Sequence, residues 1–505
     1  MPRTPEQAYS ELLRRMKERT LLASCAGLLG WDERTYMPRK GAALRAEQAA
    51  LLARMVHEML TAPAIGLLLE EVENSRLLDD PHSDAAVNVR EIRRQYDRAV
   101  KLPRTLVEEL ARASTLGQQA WQEAKGRSDF RSFAPHLKKL VHLKREEAQA
   151  VGFKEVAYDA LLDDYEPGET TASLRQLFAD LRAELVPLVE LAAASAVRPR
   201  SDILSREYPV ERQQILCHAV AAAIGFDFDA GRLDVTAHPF CSGLGPGDVR
   251  LTTRYNPMQF SEGFFGTLHE AGHGLYEQGL PPEHYGTPLG EACSLGIHES
   301  QSRMWENLVG RSAPFWRHWF VRLRQVFWEP LRDVSFDDWL LAVNEVKRSF
   351  IRIEADETTY NLHIILRFEL EQALIHGDLS ADEVPAAWNE GFKKTLGLTV
   401  PDDAHGCLQD IHWSAGLFGY FPTYTLGNLY AAQFMEQARQ DLGDLDAAFE
   451  RGDFLPLKGW LNEKIHRHGK RYLAPELCRR VTGKPLSPQP LLRHLRSKLA
   501  TLYGR

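Results

Sequence analysis

Residues 248–282 read DVRLTTRYNPMQFSEGFFGTLHEAGHGLYEQGLPP. The first eight alternate: Val249, Leu251, Thr253 and Tyr255 point one way, and Asp248, Arg250, Thr252 and Arg254 the other. That is the period of a strand with one buried face. Asn256 and Pro257 then suit a helix N-cap and first helical position. Helical patterning continues to Gln278, and Gly279-Leu280-Pro281-Pro282 supplies a stop. A strand therefore feeds a long helix, and that helix carries His269-Glu270-Ala271-Gly272-His273, the pattern H-E-x-x-H.

At ~100° per residue, positions four apart lie about 40° apart around a helix, so both imidazoles can grip one ion. Glu270 lies beside them, placed to take a proton from water. Phe264, Phe265, Leu268 and Leu275 can bury the motif. A third ligand is required. The long metzincin form fails, because the positions it needs as Gly and His are Tyr276 and Gly279. An acidic ligand from a following helix is the other common solution, and Glu299 in His298-Glu299-Ser300-Gln301-Ser302-Arg303 offers it. His298 competes as donor, but adjacent helical residues point ~100° apart and cannot both reach one ion. A His2Glu set with an open fourth position favours hydrolysis over a closed structural site.

Outward from this helix, apolar residues recur at helical spacing through most of the chain. Arg104 to Lys125 is one helical pattern, with Leu106, Leu110, Ala111, Leu116, Ala120 and Trp121 approximating its apolar face. Pro135 opens another pattern, which Gly152 closes. Arg198 to Asp202 and Gly243 to Gly247 read as turns. The 505 residues are 44% hydrophobic and 26% charged, ample for a large core. Lys plus Arg total 61 against 69 for Asp plus Glu, a net charge of −8. That balance argues against a nucleic-acid partner. Six cysteines stand singly with no C-x-x-C pair, and residues 1–20 lack an apolar core, so a cytoplasmic location is expected. Trp413 to Met435 carries no charge, but its Gly416, Gly419, Pro422, Gly427 and Asn428 mark it as buried interior rather than a membrane span.

Further motifs surround the metal signature in order. They are Trp31-Asp32-Glu33-Arg34-Thr35-Tyr36-Met37-Pro38, His238-Pro239-Phe240, Asp248-Val249-Arg250-Leu251-Thr252, the metal helix itself and His298-Glu299-Ser300-Gln301. Ile351-Arg352-Ile353-Glu354-Ala355-Asp356 and Gly406-Cys407-Leu408-Gln409-Asp410-Ile411-His412-Trp413 follow. With them the sequence resembles the Taq-type thermostable metallocarboxypeptidases, whose almost wholly helical fold is shared with neurolysin and angiotensin-converting enzyme.

The resemblance implies a mainly α, two-lobed metallopeptidase with a deep groove and a small β element beside the metal helix, residues 1–505 forming one catalytic unit. It implies one divalent metal per subunit, zinc first with cobalt as the alternative, held by His269, His273 and Glu299, with Glu270 as general base and acid. It also implies stepwise release of C-terminal residues from peptides with broad side-chain tolerance, and a homodimer. A related oligoendopeptidase or dipeptidyl carboxypeptidase is the nearest alternative, and a non-catalytic metal-containing binding protein the next.

An exopeptidase of this kind must hold a free carboxylate, which a planar guanidinium does best. Arg250 and Arg352 are the candidates. Against them stand pairing of Arg250 with Asp248, flanked by Thr252, and an i,i+4 bridge from Arg352 to Asp356. His238, ahead of Pro239 and Phe240, can line the groove. Gln409 and His412 can bind substrate, with Asp410 and Asp356 as supports and Trp413 as an apolar wall. Tyr420 or Tyr424 can donate to a developing oxyanion.

Overall fold

A computed structural model describes residues 3–504. The alternating stretch forms strand β3 (Asp248–Thr253), centre of a three-stranded sheet. β1 (Gly231–Val235) pairs with it in parallel and β2 (Cys241–Gly245) antiparallel. Val249, Leu251 and Thr253 are buried as their alternation predicts. Thr252, expected on the polar face, is buried too, because its hydroxyl exchanges hydrogen bonds with the Phe240 backbone at 2.8 and 2.9 Å. β1 and β2 were not expected, and β2 takes in the start of the turn read at Gly243.

The metal helix runs Phe260–Gly279 and stops where predicted. It starts later than Asn256-Pro257 suggested: the Asn256 side chain accepts from the Met258 amide at 3.0 Å, closing a local turn instead of capping a helix. The helix Phe130–Val151 conversely begins before Pro135, which lies inside it. Its first amide is held by the distant Asp403 carboxylate at 3.0 Å, a tertiary contact that no local pattern encodes. In the helix Arg104–Arg127 the buried positions are Leu106, Gly117 and Ala124, while Leu116, expected on the inner face, is 50% exposed.

Two hydrophobic cores separate two lobes. The small one lies among α1 (Pro5–Thr35), α2 (Ala42–Thr61), α3 (Pro63–Glu73) and α4 (Asp84–Lys101), where Leu12 and Met16 of α1 meet Ile65, Leu69, Val89 and Ile92. α1 starts on a capping box between Thr4 and Gln7 with Pro5 in its first turn. α2 buries only Leu60. The stretch apolar enough to cross a membrane by composition is 39–73, and it is broken at Ala62-Pro63. Trp413–Met435 is interior, as expected: most of the helix Pro422–Leu442 is buried in the large core.

The lobes meet along α4, where Arg98 reaches Glu147 at 2.8 Å and Arg94 reaches Asp163 at 3.2 Å, and where α1 reaches the sheet. The guanidinium groups of Arg232 and Arg250 both lie against Trp31, 5.1 and 4.3 Å from its ring centroid. Each arginine is held by its own aspartate, Asp234 and Asp248. The Tyr36 hydroxyl donates to Asp234 at 2.6 Å.

Two close approaches set the centre of the molecule. A Cβ on Gly272 of the metal helix would lie 2.5 Å from the Gln301 carbonyl oxygen and 2.6 Å from Ser302 Cα. A Cβ on Gly427 would lie 2.5 Å from Glu299 Cγ. The helix Leu295–Arg303, here the ligand helix, is therefore wedged between two glycine-faced helices.

Candidate active site

The wedge brings together the three expected ligands. Glu299 Oε2 lies 3.7 Å from His269 Nε2 and 3.5 Å from His273 Nε2, and these donors fall within 4.8 Å of one another. Both Nδ1 atoms point away. His269 Nδ1 meets Glu306 Oε2 at 2.9 Å, and His273 Nδ1 meets His298 Nδ1 at 2.6 Å. A neutral imidazole that donates from Nδ1 keeps its lone pair on Nε2, where a metal needs it. Glu299 Oε1 is taken by Arg303 Nε at 2.7 Å, leaving one oxygen for an ion. Two imidazole nitrogens and one carboxylate oxygen are a donor set that fits a divalent cation. His298, the rival donor, instead faces the Nδ1 of His273.

The buried donors and their neighbours shift one another strongly. Burial would raise Glu299, but Arg303 and His269 hold it far below the usual carboxylate range. Glu306 is likewise held at about 2 against its burial by Arg303 and His269. Burial pushes His273 down to about 4. His269 stays above its ordinary value despite burial, because Glu299 and Glu306 face it. Burial pushes Glu270 up to about 7, aided by the charges of Glu299 and Glu306 and opposed by His269.

A second cluster gathers most of the other candidates. Arg352 does not pair with Asp356. It sits in a tight turn, Arg352–Glu354, and donates from Nε to Asp410 at 2.8 Å and from Nη1 to the Tyr360 hydroxyl at 2.8 Å. Asp356 instead accepts from the amides of Thr358 and Thr359. Arg367 Nε donates to the other Asp410 oxygen at 2.7 Å. Gln409 accepts from the Arg352 amide, and His412 Nε2 meets the Tyr424 hydroxyl at 3.1 Å. Burial beside Arg352 pushes His412 down to about 3. Tyr420 packs edge-on against Tyr165 with ring centroids 5.1 Å apart. Trp413 Nε1 donates to the buried Glu371 at 2.9 Å. Tyr360 joins the two clusters, because the Arg303 guanidinium lies over its ring at 4.3 Å.

The remaining candidates stand apart. Arg250 pairs with Asp248 at 2.8 and 2.9 Å and stacks on Trp31. His238 and Pro239 are exposed in the loop after β1, and Phe240 packs under Arg34. Gln301 meets His466 Nε2 at 2.8 Å. Sequence reasoning passed over Arg303, Glu306, Tyr360 and Arg367. Glu299, Arg303 and Glu306 follow at i, i+4 and i+7, a charged stripe of alternating sign that was the available signal. Glu306 lies beyond the α-helical part, in a π-helical turn, Met304–Val309.

A mainly helical fold that gathers two histidines and a glutamate within ion-binding reach of one another, with a second glutamate between the histidines in sequence, defines an H-E-x-x-H metallopeptidase. The family model described as "Carboxypeptidase Taq (M32) metallopeptidase" matches residues 11–499, and the chain belongs to that family. It is 51% identical to thermostable carboxypeptidase 1 of Thermus thermophilus, over 99% of this chain and 100% of that one. It is 39% identical to carboxypeptidase 1 of Bacillus subtilis, over 99% of each chain. The solved M32 carboxypeptidase of Deinococcus radiodurans R1 superposes with a TM-score of 0.95 at 40% identity, covering 99% of this chain and 100% of that one. The protein is a peptide hydrolase and uses a divalent metal.

Proposed function

We propose that this enzyme removes single C-terminal residues from peptides with broad side-chain tolerance, that His269, His273 and Glu299 hold its metal, and that residues 1–505 act as one catalytic unit. The observation that carries the exopeptidase reading is the charge of the second cluster. Two buried guanidinium groups, Arg352 and Arg367, share the single carboxylate of Asp410. A buried positive charge in excess calls for an anion, and a peptide's terminal carboxylate supplies it. Arg352 suits the clamp better than Arg250, which is matched one to one by Asp248.

Zinc, or cobalt as the alternative, supplies Lewis acidity toward the scissile carbonyl and an attacking water when bound. Glu270 takes the water proton and passes it to the leaving amine, a role its place beside His269 on the metal helix allows. Tyr420 and Tyr424, with ring centroids 5.4 Å apart, offer the phenol that donates to the oxyanion, and His412 orients Tyr424. Gln409 and Asp410 fix Arg352; on the sheet side Asp248 holds Arg250, buried Thr252 anchors the Phe240 backbone, and exposed His238 is free to meet a peptide. The family resemblance extends the reading to a homodimer, and six unpaired cysteines support a reducing cytoplasm.

The test is a mass-spectrometric time course on one peptide of about ten residues, as free acid and as C-terminal amide, with metal-loaded and chelated enzyme. A ladder losing one residue at a time from the free acid only, abolished by chelation, is expected. Internal cuts or dipeptide steps from both peptides would replace this reading with that of an oligopeptidase.

A further inference from the structure

The two histidine ligands are supported differently. His269 reaches a carboxylate directly, at Glu306. His273 reaches one only through a second imidazole: its Nδ1 meets His298 Nδ1 at 2.6 Å, and His298 Nε2 meets Glu277 Oε1 at 2.8 Å. Proton positions along this chain are forced. His273 must keep its Nε2 lone pair for the metal, so its proton is on Nδ1 and is donated to His298. His298 Nδ1 must then be bare, and its own proton sits on Nε2, facing Glu277. A carboxylate only accepts, so it holds that tautomer; a donor at position 277 would reverse it and set two N–H groups face to face.

We propose that Glu277, one turn beyond His273 on the metal helix, is a positioning residue for the metal: it fixes the tautomer of His298 and through it aims Nε2 of His273. The surroundings are built for the carboxylate. Gly243 of β2 lies against it, such that a Cβ there would come within 2.6 Å of Glu277 Cδ. Glu277 also forms part of the wall of a cavity of about 560 Å³ with Ser242, Gly243, Gln278 and Tyr285. The cavity gives small molecules a route to the outer end of the relay.

This inference rests on the proposed metal site, and the experiment separates the two. Zinc affinity is measured by chelator competition for the parent and for Glu277→Ala, with and without added acetate. The melting temperature of each metal-free protein is recorded alongside. Removing an outer partner of a metal-bound histidine typically weakens metal binding about 10- to 100-fold, and that loss is expected in Glu277→Ala. Acetate entering the cavity is expected to recover at least part of it, whereas a merely structural loss would not respond. If the parent binds no zinc, the site reading itself fails. If the parent binds zinc and Glu277→Ala binds it within about twofold, the relay alone is overturned. Should Glu277→Ala not fold, nitrogen–proton correlation spectra of the parent decide: a His298 proton on Nε2 supports the relay, and one on Nδ1 overturns it.

Discussion

Gly272→Ala is the sharpest test of how the metal site is assembled. The added methyl would lie 2.5 Å from the Gln301 oxygen, 2.6 Å from Ser302 Cα and 2.8 Å from the Gln301 carbonyl carbon. All three are backbone atoms, so no side chain can swing away. Non-bonded heavy atoms settle at ~3.5 Å or more, so the ligand helix must move by roughly 1 Å. It cannot retreat freely, because Glu299 already packs against Gly427 on its other side. Glu299 Oε2 would leave a position where metal–ligand distances tolerate only ~0.2 Å. Metal affinity is expected to fall at least ~10-fold, about 1.4 kcal/mol. Overpacking costs ~1–3 kcal/mol, and replacing a helical glycine returns ~0.5–1 kcal/mol, so stability should drop by about 0–2.5 kcal/mol. Gly266→Ala on the same helix is the control: its methyl would meet only Thr253 Oγ1 at 3.5 Å. It should gain ~0.5–1 kcal/mol and bind metal as before. The assays are metal per chain after gel filtration, chelator competition and thermal unfolding. Gly272→Ala with unchanged metal affinity would refute the wedge.

Glu270→Gln should keep its metal and lose turnover by ~10²–10⁴-fold; undiminished kcat at full metal occupancy would remove Glu270 from the chemistry. Glu299→Ala should instead lose metal, measured as occupancy after dialysis, and full occupancy would exclude it as a ligand. Stability should also depend on pH through Glu371, which is fully buried and accepts from Tyr158, Trp413 and the Gly419 amide. Burial raises its carboxyl from 4.5 to about 7. The folded state then binds this proton more tightly than the unfolded one, so stability falls as pH rises from 4.5 to about 7 and is level above it. At ~1.4 kcal/mol per pH unit, the whole interval is worth about 3 kcal/mol. Between pH ~5 and ~8, the parent's melting temperature should fall relative to that of Glu371→Gln; a constant difference would contradict the assignment.

What was legible in the sequence was what repeats locally. The four-residue spacing of His269 and His273 and the alternation through Val249 and Leu251 each follow from one element's own geometry. Glu299 was found because a return helix needs only a turn after Gly279. The bridge from Arg352 to Asp356, weighed against a clamp for the terminal carboxylate, rested on nearness in sequence alone, while Asp410, the actual partner, is 58 positions away. Asn256-Pro257 looked like a helix start because a local Asx turn and an N-cap draw on the same residue types. β1 and β2 are five residues each and contain glycines, too short and too mixed to show a period. Glu306 and Arg303 carried a spacing signal, but their meaning depends on which helix lies opposite.

The small core among α1 to α4 holds ten buried apolar side chains, and it is tied to the rest of the protein by polar contacts: Trp31 with two arginines and two aspartates at the sheet, and the pairs of Arg94 with Asp163 and Arg98 with Glu147 along α4. Contacts of that kind can part without breaching the large core. The N-terminal helices can therefore open as a cooperative unit of their own, at a lower free energy than the whole chain. Amide exchange would divide the protein near Trp31: the protons of α3 and α4 would report that local opening, and those of the metal helix the global one.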